Sequence, residues 1–302
     1  MTLALAHPQL ADTRILGNLD EQQRRLLAFN RQRLSPGCIA DDWRERLEQD
    51  HRILVAEGEF IEAERRRIRP FVENVPKASD AFIQWFENLR ATGPGQGDLL
   101  FPWLAESASL SDMRWFLSQE VAGEAGFDDL VSLSQIKLPD RPKLEMARNY
   151  WDEMGRGNEK GMHGPMLARL ARYFEIAASS TEIVAESIAL GNLMIGLAAN
   201  RRYAFQGIGA LGVIELTAPT RAIFVEQGLR RLGVRADARQ YFAVHAILDI
   251  EHSKAWNSEV LAPLVEEDGR RARWLAEGAM MRLVAGQRCF TRYRSHLWTS
   301  SF

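Results

Sequence analysis

The sequence contains very little cysteine. Cys38 and Cys289 are the two cysteines in 302 residues, and neither belongs to a CxxC pair or lies beside a histidine. Two distant thiols cannot supply the disulfide framework of a small secreted protein. We therefore expect a reducing compartment and predict that the protein is cytoplasmic.

Long hydrophobic runs and an excess of one charge are also missing. No window approaches about eighteen uninterrupted apolar residues, and the first residues lack a basic region, so we expect neither a membrane helix nor a signal peptide. The formal net charge is -2, from 38 basic and 40 acidic residues. Such a balance favours neither nucleic acid nor an anionic membrane as a partner, which leaves a small molecule as the expected one.

Strand-like alternation is absent as well, whereas apolar residues recur at helical spacing almost throughout the chain. We predict an all-α fold, a helical bundle around one core. The clearest interruption is the loop ATGPGQGD at 91–98. We interpret residues 1–98 as an N-terminal helical extension, which could form a homodimer interface, and residues 99–302 as the main domain, although the two could pack as one.

Helix boundaries follow from capping residues, glycines and prolines. The glycine-spaced stretch at 207–212 should let another backbone approach closely, and Pro219 should kink or restart its helix, leaving the region of Glu215 partly unwound. Pro70 and Pro76 should divide the region 41–90. The predicted helices are 13–34, pieces of 41–90, 111–134 with an N-cap at Ser111 and Asp112, 143–154, 163–178, 182–200, 201–217, one starting at 237, and 266–295.

The most informative stretch is YFAVHAILDIEHSKAW at 241–256. It has no proline or glycine, and it carries His245, Asp249 and His252 in an H-x3-D-x2-H spacing. Offsets of four and seven residues return to one face of a helix at roughly 100° per residue. Two imidazoles and a carboxylate on one face are typical ligands of a non-haem iron or mixed nitrogen–oxygen metal site.

A second element could complete such a site. In WDEMGRGNEKGMH, Glu153 ends a predicted helix, glycines form a turn, and His163 follows ten residues later. A glutamate near a helix end is common, so this pattern alone would be a weak signal. The ordinary alternative is that both side chains are structural.

Together these motifs resemble the haem-oxygenase-like di-iron oxidases over roughly 112–263. The resemblance implies a haem-oxygenase-like helical bundle and a further glutamate from the helix before the Glu-x9-His element. Glu120 of WFLSQEVAGEAGF holds that place, with Glu124, one turn on, as its competitor. The implied metal ligands are Glu120, Glu153, His163, Glu215, His245, Asp249 and His252.

Glu215 is also notable on physical grounds. It is a lone carboxylate in the apolar run GALGVIELTAP, where an unpaired buried charge would be costly. An ion pair with Arg201 or Arg221 is the alternative explanation. The implied set of three Glu and one Asp would balance two Fe(II) ions, since about -4 meets +4.

The resemblance implies two irons per chain, dioxygen as co-substrate and an iron-dependent oxygenase, with no catalytic residue beyond the ligands. An electron donor could be required, and manganese or a mixed-metal site stays open. The expected reaction is N-hydroxylation or oxidative C–C cleavage of an amino acid or amine. We expect a pocket lined by 207–215, Tyr241 and Phe242, with Arg201, Arg202 or Arg221 capturing a carboxylate.

Several other classes are considered. A fatty-acid decarboxylase of the same family and a non-enzymatic helical scaffold are the alternatives that stay open. A ferritin-like site needs two E-x2-H motifs, whereas Glu48 and His51 form the single copy here. A thiaminase-type hydrolase needs a core cysteine nucleophile, for which Cys38 and Cys289 are poorly placed.

Overall fold

A computed structural model describes residues 13–37, 41–176 and 182–299. Within these ranges the secondary structure is helical, without strands, apart from one isolated bridge between Met154 and Met162. The predicted all-α class is confirmed. The α-helices are α1 Thr13–Leu34, α2 Trp43–Ile68, α3 Ser79–Thr92, α4 Leu100–Glu106, α5 Leu110–Gly123, α6 Phe127–Ser134, α7 Asp140–Glu153, α8 His163–Tyr173, α9 Ala185–Ala199, α10 Ala204–Arg231, α11 Gln240–Ala255, α12 Ala262–Glu267 and α13 Arg271–Thr299.

The amino-terminal helices pack against the later ones. α1 lies along α9, and α2 contacts both α9 and α13. Ile61 of α2 and Phe82 and Phe86 of α3 are fully buried in the same hydrophobic core as the later helices. Helix α2 ends at Ile68, just before the short 3-10 turn that contains Pro70, as the sequence predicts. The division into 1–98 and 99–302 stays a prediction.

The single helix predicted at 111–134 is wrong, because two helices occupy this region. Ser109, rather than Ser111, is the N-cap of α5, and it forms a reciprocal capping box with Asp112. The chain then leaves helical geometry at Ala125 and Gly126, whose φ angles are 65° and 74°. Left-handed geometry cannot continue a right-handed helix, so α6 starts anew at Phe127.

Helix α10 runs without interruption from Ala204 to Arg231, so the predicted restart at Pro219, with local unwinding around Glu215, is wrong. Packing on α13, α11 and α4 holds this helix together through the proline. The helical stretch Arg201–Arg231 is long and apolar enough to cross a membrane by composition, but 67% of its most apolar window is buried inside the described fold. This is the pattern of a core helix.

The predicted close backbone approach is confirmed along α10 and α13. A Cβ atom added to Gly209 would lie 1.9 Å from the carbonyl oxygen of Leu275. One added to Gly278 would lie 1.7 Å from the carbonyl oxygen of Gln206. No other residue fits at either position without moving a backbone, so these glycines set the distance between the two helices.

Other helix limits differ from the sequence prediction by several residues. Glu175, with a φ of 53°, follows the end of α8, which therefore stops short of the predicted 178. The helix predicted at 182–200 is α9, which begins at Ala185 and ends at Ala199. Helix α11 begins at Gln240 rather than 237 and leads into a π-turn, Trp256–Leu261, before α12. The last helix, α13, is 271–299 rather than 266–295.

Candidate metal centre

The Glu-x9-His element is a folded-back connection between two helices. Glu153 is the last residue of α7 and His163 is the first residue of α8. Between them Gly155, Arg156 and Gly157 have φ angles of 61°, 53° and 82°, and Met154 pairs with Met162. The connection thus closes on itself and places Oε2 of Glu153 2.6 Å from Nδ1 of His163.

Helix α11 supplies the H-x3-D-x2-H residues, as the sequence predicts. Asp249 and His252 are buried and His245 is half-buried. Nδ1 of His245 lies 2.7 Å from the carbonyl oxygen of Tyr241, one turn earlier. If Nδ1 donates its proton to that carbonyl, Nε2 is left to face the other acidic and imidazole groups.

These residues form two clusters with metal-ligand geometry. In each cluster one possible ligand atom per residue lies within 4.8 Å of the other two. The rings of His163 and His245 lie with their centroids 4.6 Å apart. We name them site 1, formed by Glu153, His163 and His245, and site 2, formed by Glu215, Asp249 and His252.

Two residues that sequence reasoning missed support site 2. The amide nitrogen of Asn149 donates to Oε1 of Glu215 over 2.7 Å, and Nε2 of His252 lies 3.1 Å from Oδ2 of Asp152. Both belong to α7. Asn149 lies four residues before Glu153, so the helical period could have singled it out. A carboxylate behind an imidazole commonly fixes the tautomer of a metal-ligating histidine.

Burial favours the uncharged forms of the residues of site 1. Burial, together with repulsion from neighbouring imidazoles, lowers the pKa of His245 and of His163 to about 4. It also raises the pKa of Glu153 well above its usual value, and the charge of Glu215 raises it again. Neutral imidazoles are the form that binds metals.

Site 2 is different, because its histidine is held as a cation. Burial alone would lower the pKa of His252, but Glu215 and Asp152 outweigh it and raise that pKa to about 9. Burial and the charges of Glu215 and Glu153 raise the pKa of Asp249 well above its ordinary value. Protons therefore occupy this site where a metal is not bound.

The donor atoms fit a transition metal. Nδ1 of His163 and Nδ1 of His252 are buried without a hydrogen bond of acceptable geometry, although carboxylate oxygens lie 2.6 and 3.5 Å away. Two imidazoles with one carboxylate at site 1 are a known non-haem iron ligand set. Site 2 offers one imidazole and two carboxylates, which suit the same metal.

Comparison with protein families decides the family. Residues 114–287, more than half of the chain, match the family described as iron-containing redox enzymes. The chain belongs to this family. The predicted resemblance and the haem-oxygenase-like all-α fold are thereby confirmed, and an iron-dependent oxidoreductase function follows in general terms. No curated protein matches the chain.

Glu120 and Glu124 of this iron-containing redox enzyme lie outside both sites but line the same cavity. Both oxygens of Glu124 accept backbone hydrogen bonds, from Gly126 over 2.8 Å and from Phe127 over 3.1 Å. Its charge contributes to the raised pKa of Glu153, which places it near site 1. Burial raises the pKa of Glu120, whose charged neighbours are instead Arg221 and Arg282.

The cavity that contains these groups has a volume of about 130 Å³. The wall from α10 runs from Ile214 to Val225, so the predicted wall at 207–215 is largely wrong. Its glycines pack instead against α9, α13 and Trp256. Tyr241 and Phe242 line the cavity as predicted; the other lining residues include Glu120, Glu124, Glu153, Glu215, His245, Asp249, Arg221, Arg282, Leu167 and Met194.

The three candidate arginines separate in the structure. Arg201 donates to the carbonyl oxygens of Ser134 and Ile136 at the end of α6, and Arg202 is exposed beside Glu62. Neither lines the cavity, because both precede α10 at its far end. Arg221 does line it. The alternative explanation, an ion pair between Glu215 and an arginine, is not found among the described residues. The close partners of Glu215 there are Asn149 and His252.

Proposed function

We propose that this protein is a di-iron oxidase that uses dioxygen to oxidise a small organic substrate, by N-hydroxylation or by oxidative C–C cleavage of an amino acid or amine. The observation that carries the proposal is a pair of adjoining ligand triads, buried together and facing one cavity. The family membership supports the iron. The substrate, the second iron and the use of dioxygen are the proposal.

The chain's own residues have distinct tasks in this proposal. Site 1 would hold one iron and site 2 the other, and iron at such sites supplies oxidation chemistry with dioxygen. Asp152 accepts the Nε2 proton of His252 and thereby keeps Nδ1 directed at site 2. Leu167 and Phe242 line the cavity with apolar surface, which helps to exclude water from the reacting groups.

The buried acid cluster itself supports a metal centre over an inert scaffold. Glu153, Glu215 and Asp249 are each at most 3% exposed, and burying three carboxylates together is costly unless a cation compensates them. In the described part of the chain, no arginine or lysine forms an ion pair with any of the three, and the His252 cation beside Glu215 can balance only one of them. Bound iron would provide the compensation.

Two other classes gain no support from a particular observation. A cavity of about 130 Å³ is comparable to an engineered cavity of about 150 Å³ that holds one benzene, which disfavours a long fatty acid. Cys289 is buried, and burial raises its pKa to about 12, so it is no cysteine nucleophile. Cys38 lies outside the described residues. Cytoplasmic location and a homodimer stay predictions.

Anaerobic metal loading tests the proposal. The full chain, loaded with Fe(II) and desalted, should retain close to two irons per chain and should consume dioxygen when the two are mixed. Iron is measured by atomic emission and oxygen uptake with an electrode, with candidate amino acids and amines added in turn. Retention of no iron, or of iron without any oxygen uptake, would contradict the di-iron oxidase.

The seventh ligand needs a paired test. The resemblance implies Glu120, whereas the electrostatic contact with Glu153 favours Glu124. We propose that one α5–α6 carboxylate completes site 1, and that the Gln variant of that residue alone lowers iron retention. Glu120→Gln and Glu124→Gln are therefore compared under identical loading. Equal retention in both variants would exclude a ligand from this segment.

A further inference from the structure

Two arginines face the cavity without a close anionic partner. Arg221 belongs to α10 and Arg282 to α13, and both line the cavity that holds the metal-binding triads. Within residues 13–37, 41–176 and 182–299, neither guanidinium has a carboxylate within ion-pair distance. The guanidinium carbon of Arg221 lies 5.7 Å from the centre of the Phe290 ring.

The charges around the two arginines do not balance. Burial, together with repulsion from Arg282, lowers the pKa of Arg221 to about 10, so this side chain is still a cation at neutral pH. Burial also lowers the pKa of Arg282 from the high value of a guanidinium. Glu120 is the one carboxylate that attracts both, and burial weakens its ionisation. At least one half-buried positive charge is left over in the cavity, and a charge that has lost part of its water without gaining a partner is costly.

This surplus of positive charge is present whether or not Glu120 binds iron. If Glu120 binds iron, its charge balances that of the metal, and both guanidinium groups lack an anionic partner. If Glu124 is the ligand instead, Glu120 can neutralise one arginine and the other remains. Asp249 also attracts Arg221, but it belongs to site 2, where a bound metal would take its charge.

We propose that Arg221 and Arg282 form an anion subsite for the carboxylate of a small organic acid. A guanidinium is suited to bidentate capture of a carboxylate, and two together can hold it in a fixed orientation. The carboxylates of both sites and of Glu120 line the same cavity and would repel a dianion such as phosphate more strongly than a monoanion.

The volume of the cavity limits the size of the acid that it can bind. At about 130 Å³ the cavity suits an acid with on the order of six heavy atoms, the size of benzene. A small amino acid meets both requirements. That the bound acid is then oxidised rests on the proposed function, whereas its binding does not.

A substitution at Gly286 provides a second, independent test of the subsite. A Cβ atom added to Gly286 would lie 2.8 Å from Nη1 of Arg282, one helical turn away. The missing side chain makes room for the guanidinium. Gly286→Ala should therefore displace Arg282 from its position while leaving every charge in place.

Calorimetric titration of the full chain, both metal-free and loaded anaerobically with Fe(II), tests the subsite. L-Alanine and propionate are the probes, with propylamine and inorganic phosphate as comparisons. Wild-type protein should bind propionate and alanine, and should bind propylamine and phosphate at least tenfold more weakly. Arg221→Gln and Arg282→Gln should each weaken propionate at least tenfold, Gly286→Ala several-fold, and Arg221→Lys less than Arg221→Gln.

Arg273→Met is the matched control, because Arg273 lies on the same helix as Arg282 with a side chain that is 51% exposed. It should leave propionate binding unchanged. Unchanged binding in both glutamine variants, or propylamine or phosphate binding as tight as propionate, would overturn the subsite. Helicity by circular dichroism confirms that each variant folds.

Iron content and oxygen uptake are measured on the same samples, which separates the two proposals. Normal iron and oxygen uptake with propionate binding unchanged by the arginine substitutions refutes the subsite alone. Propionate binding that depends on both arginines in a protein that retains no iron refutes the oxidase alone.

Discussion

Sites 1 and 2 are neighbours, yet their histidines differ in protonation and their side chains are positioned by different groups. At site 1 the histidines are neutral, with pKa values of about 4, and the side chains are positioned by a closed connection and a main-chain carbonyl. At site 2 side chains do the positioning, and His252 carries a proton below a pKa of about 9. Both imidazoles of site 1 are therefore in the metal-binding form at neutral pH, whereas the imidazole of site 2 must first release its proton.

Removing one imidazole from each site should have the largest effect. We expect His163→Ala to abolish retention at site 1 and His252→Ala to abolish it at site 2, so each variant falls from about two irons per chain to about one. Anaerobic loading followed by metal analysis measures this. His296→Ala is the control, because His296 stacks on Trp115 outside the cavity. Full loading of the His252 variant would remove site 2 from the proposal.

The pH dependence of metal binding should separate the two sites. The raised pKa of His252, about 9, means that its proton must leave before a metal binds, so affinity at site 2 rises with pH. This proton alone predicts about a tenfold gain per pH unit between pH 6 and 8, that is, about 100-fold in total. The imidazoles of site 1 have already lost their protons in that range.

Calorimetry with Fe(II) at pH 6, 7 and 8, repeated in buffers of different ionisation enthalpy, counts the protons released. The His252→Ala and His163→Ala variants assign each titration to one site. If metal affinity changed equally with pH at the two sites, the proton of His252 would not distinguish site 2 from site 1.

Asp152 sharpens the comparison, because it acts on site 2 alone. We expect Asp152→Asn to weaken metal binding at site 2 by about 10–100-fold, as is usual when the hydrogen-bond partner of a ligating histidine is lost. The pKa of His252, followed by NMR in the metal-free protein, should fall as well, which a merely local packing defect would not cause.

Arg156→Gln is the companion variant. Arg156 binds Asp152 over 2.5 Å, but its side chain is 70% exposed, so its loss should change affinity by no more than about threefold. A larger effect in Arg156→Gln than in Asp152→Asn would show that the connection, rather than the carboxylate, orients His252.

The smallest effect is expected on stability, from the connection at site 1. Gly155 has a φ of 61°, and a Cβ there would lie 2.4 Å from the carbonyl carbon of Gly161. Gly155→Ala should lower the free energy of unfolding by about 2 kcal/mol through backbone strain. Gly164→Ala is its control, because no atom lies within 4 Å of that added Cβ. Thermal unfolding of both variants, side by side, decides whether Gly155 is required.

The sequence predicts the fold class and much of the centre because these depend on period and spacing. His245, Asp249 and His252 share a face at any helix boundary, so an error of three residues in the start of α11 does not matter. The break at Ala125 and the continuity through Pro219 could not be predicted, because tertiary packing decides both. Arg282 was missed for the same reason, since nothing local marks the side of α13 that faces the cavity.

The pairing of Met154 with Met162 has a consequence for insertions and deletions. The bridge joins the two ends of the connection. The seven residues between Met154 and Met162 therefore fix the distance and the relative rotation of α7 and α8. One residue more or fewer would rotate the first turn of α8 by about 100° and carry His163 away from Glu153. Variation in length should therefore be tolerated far better in the loop at Gly93–Asp98 than in this one, and a library of single-residue insertions would map that difference directly.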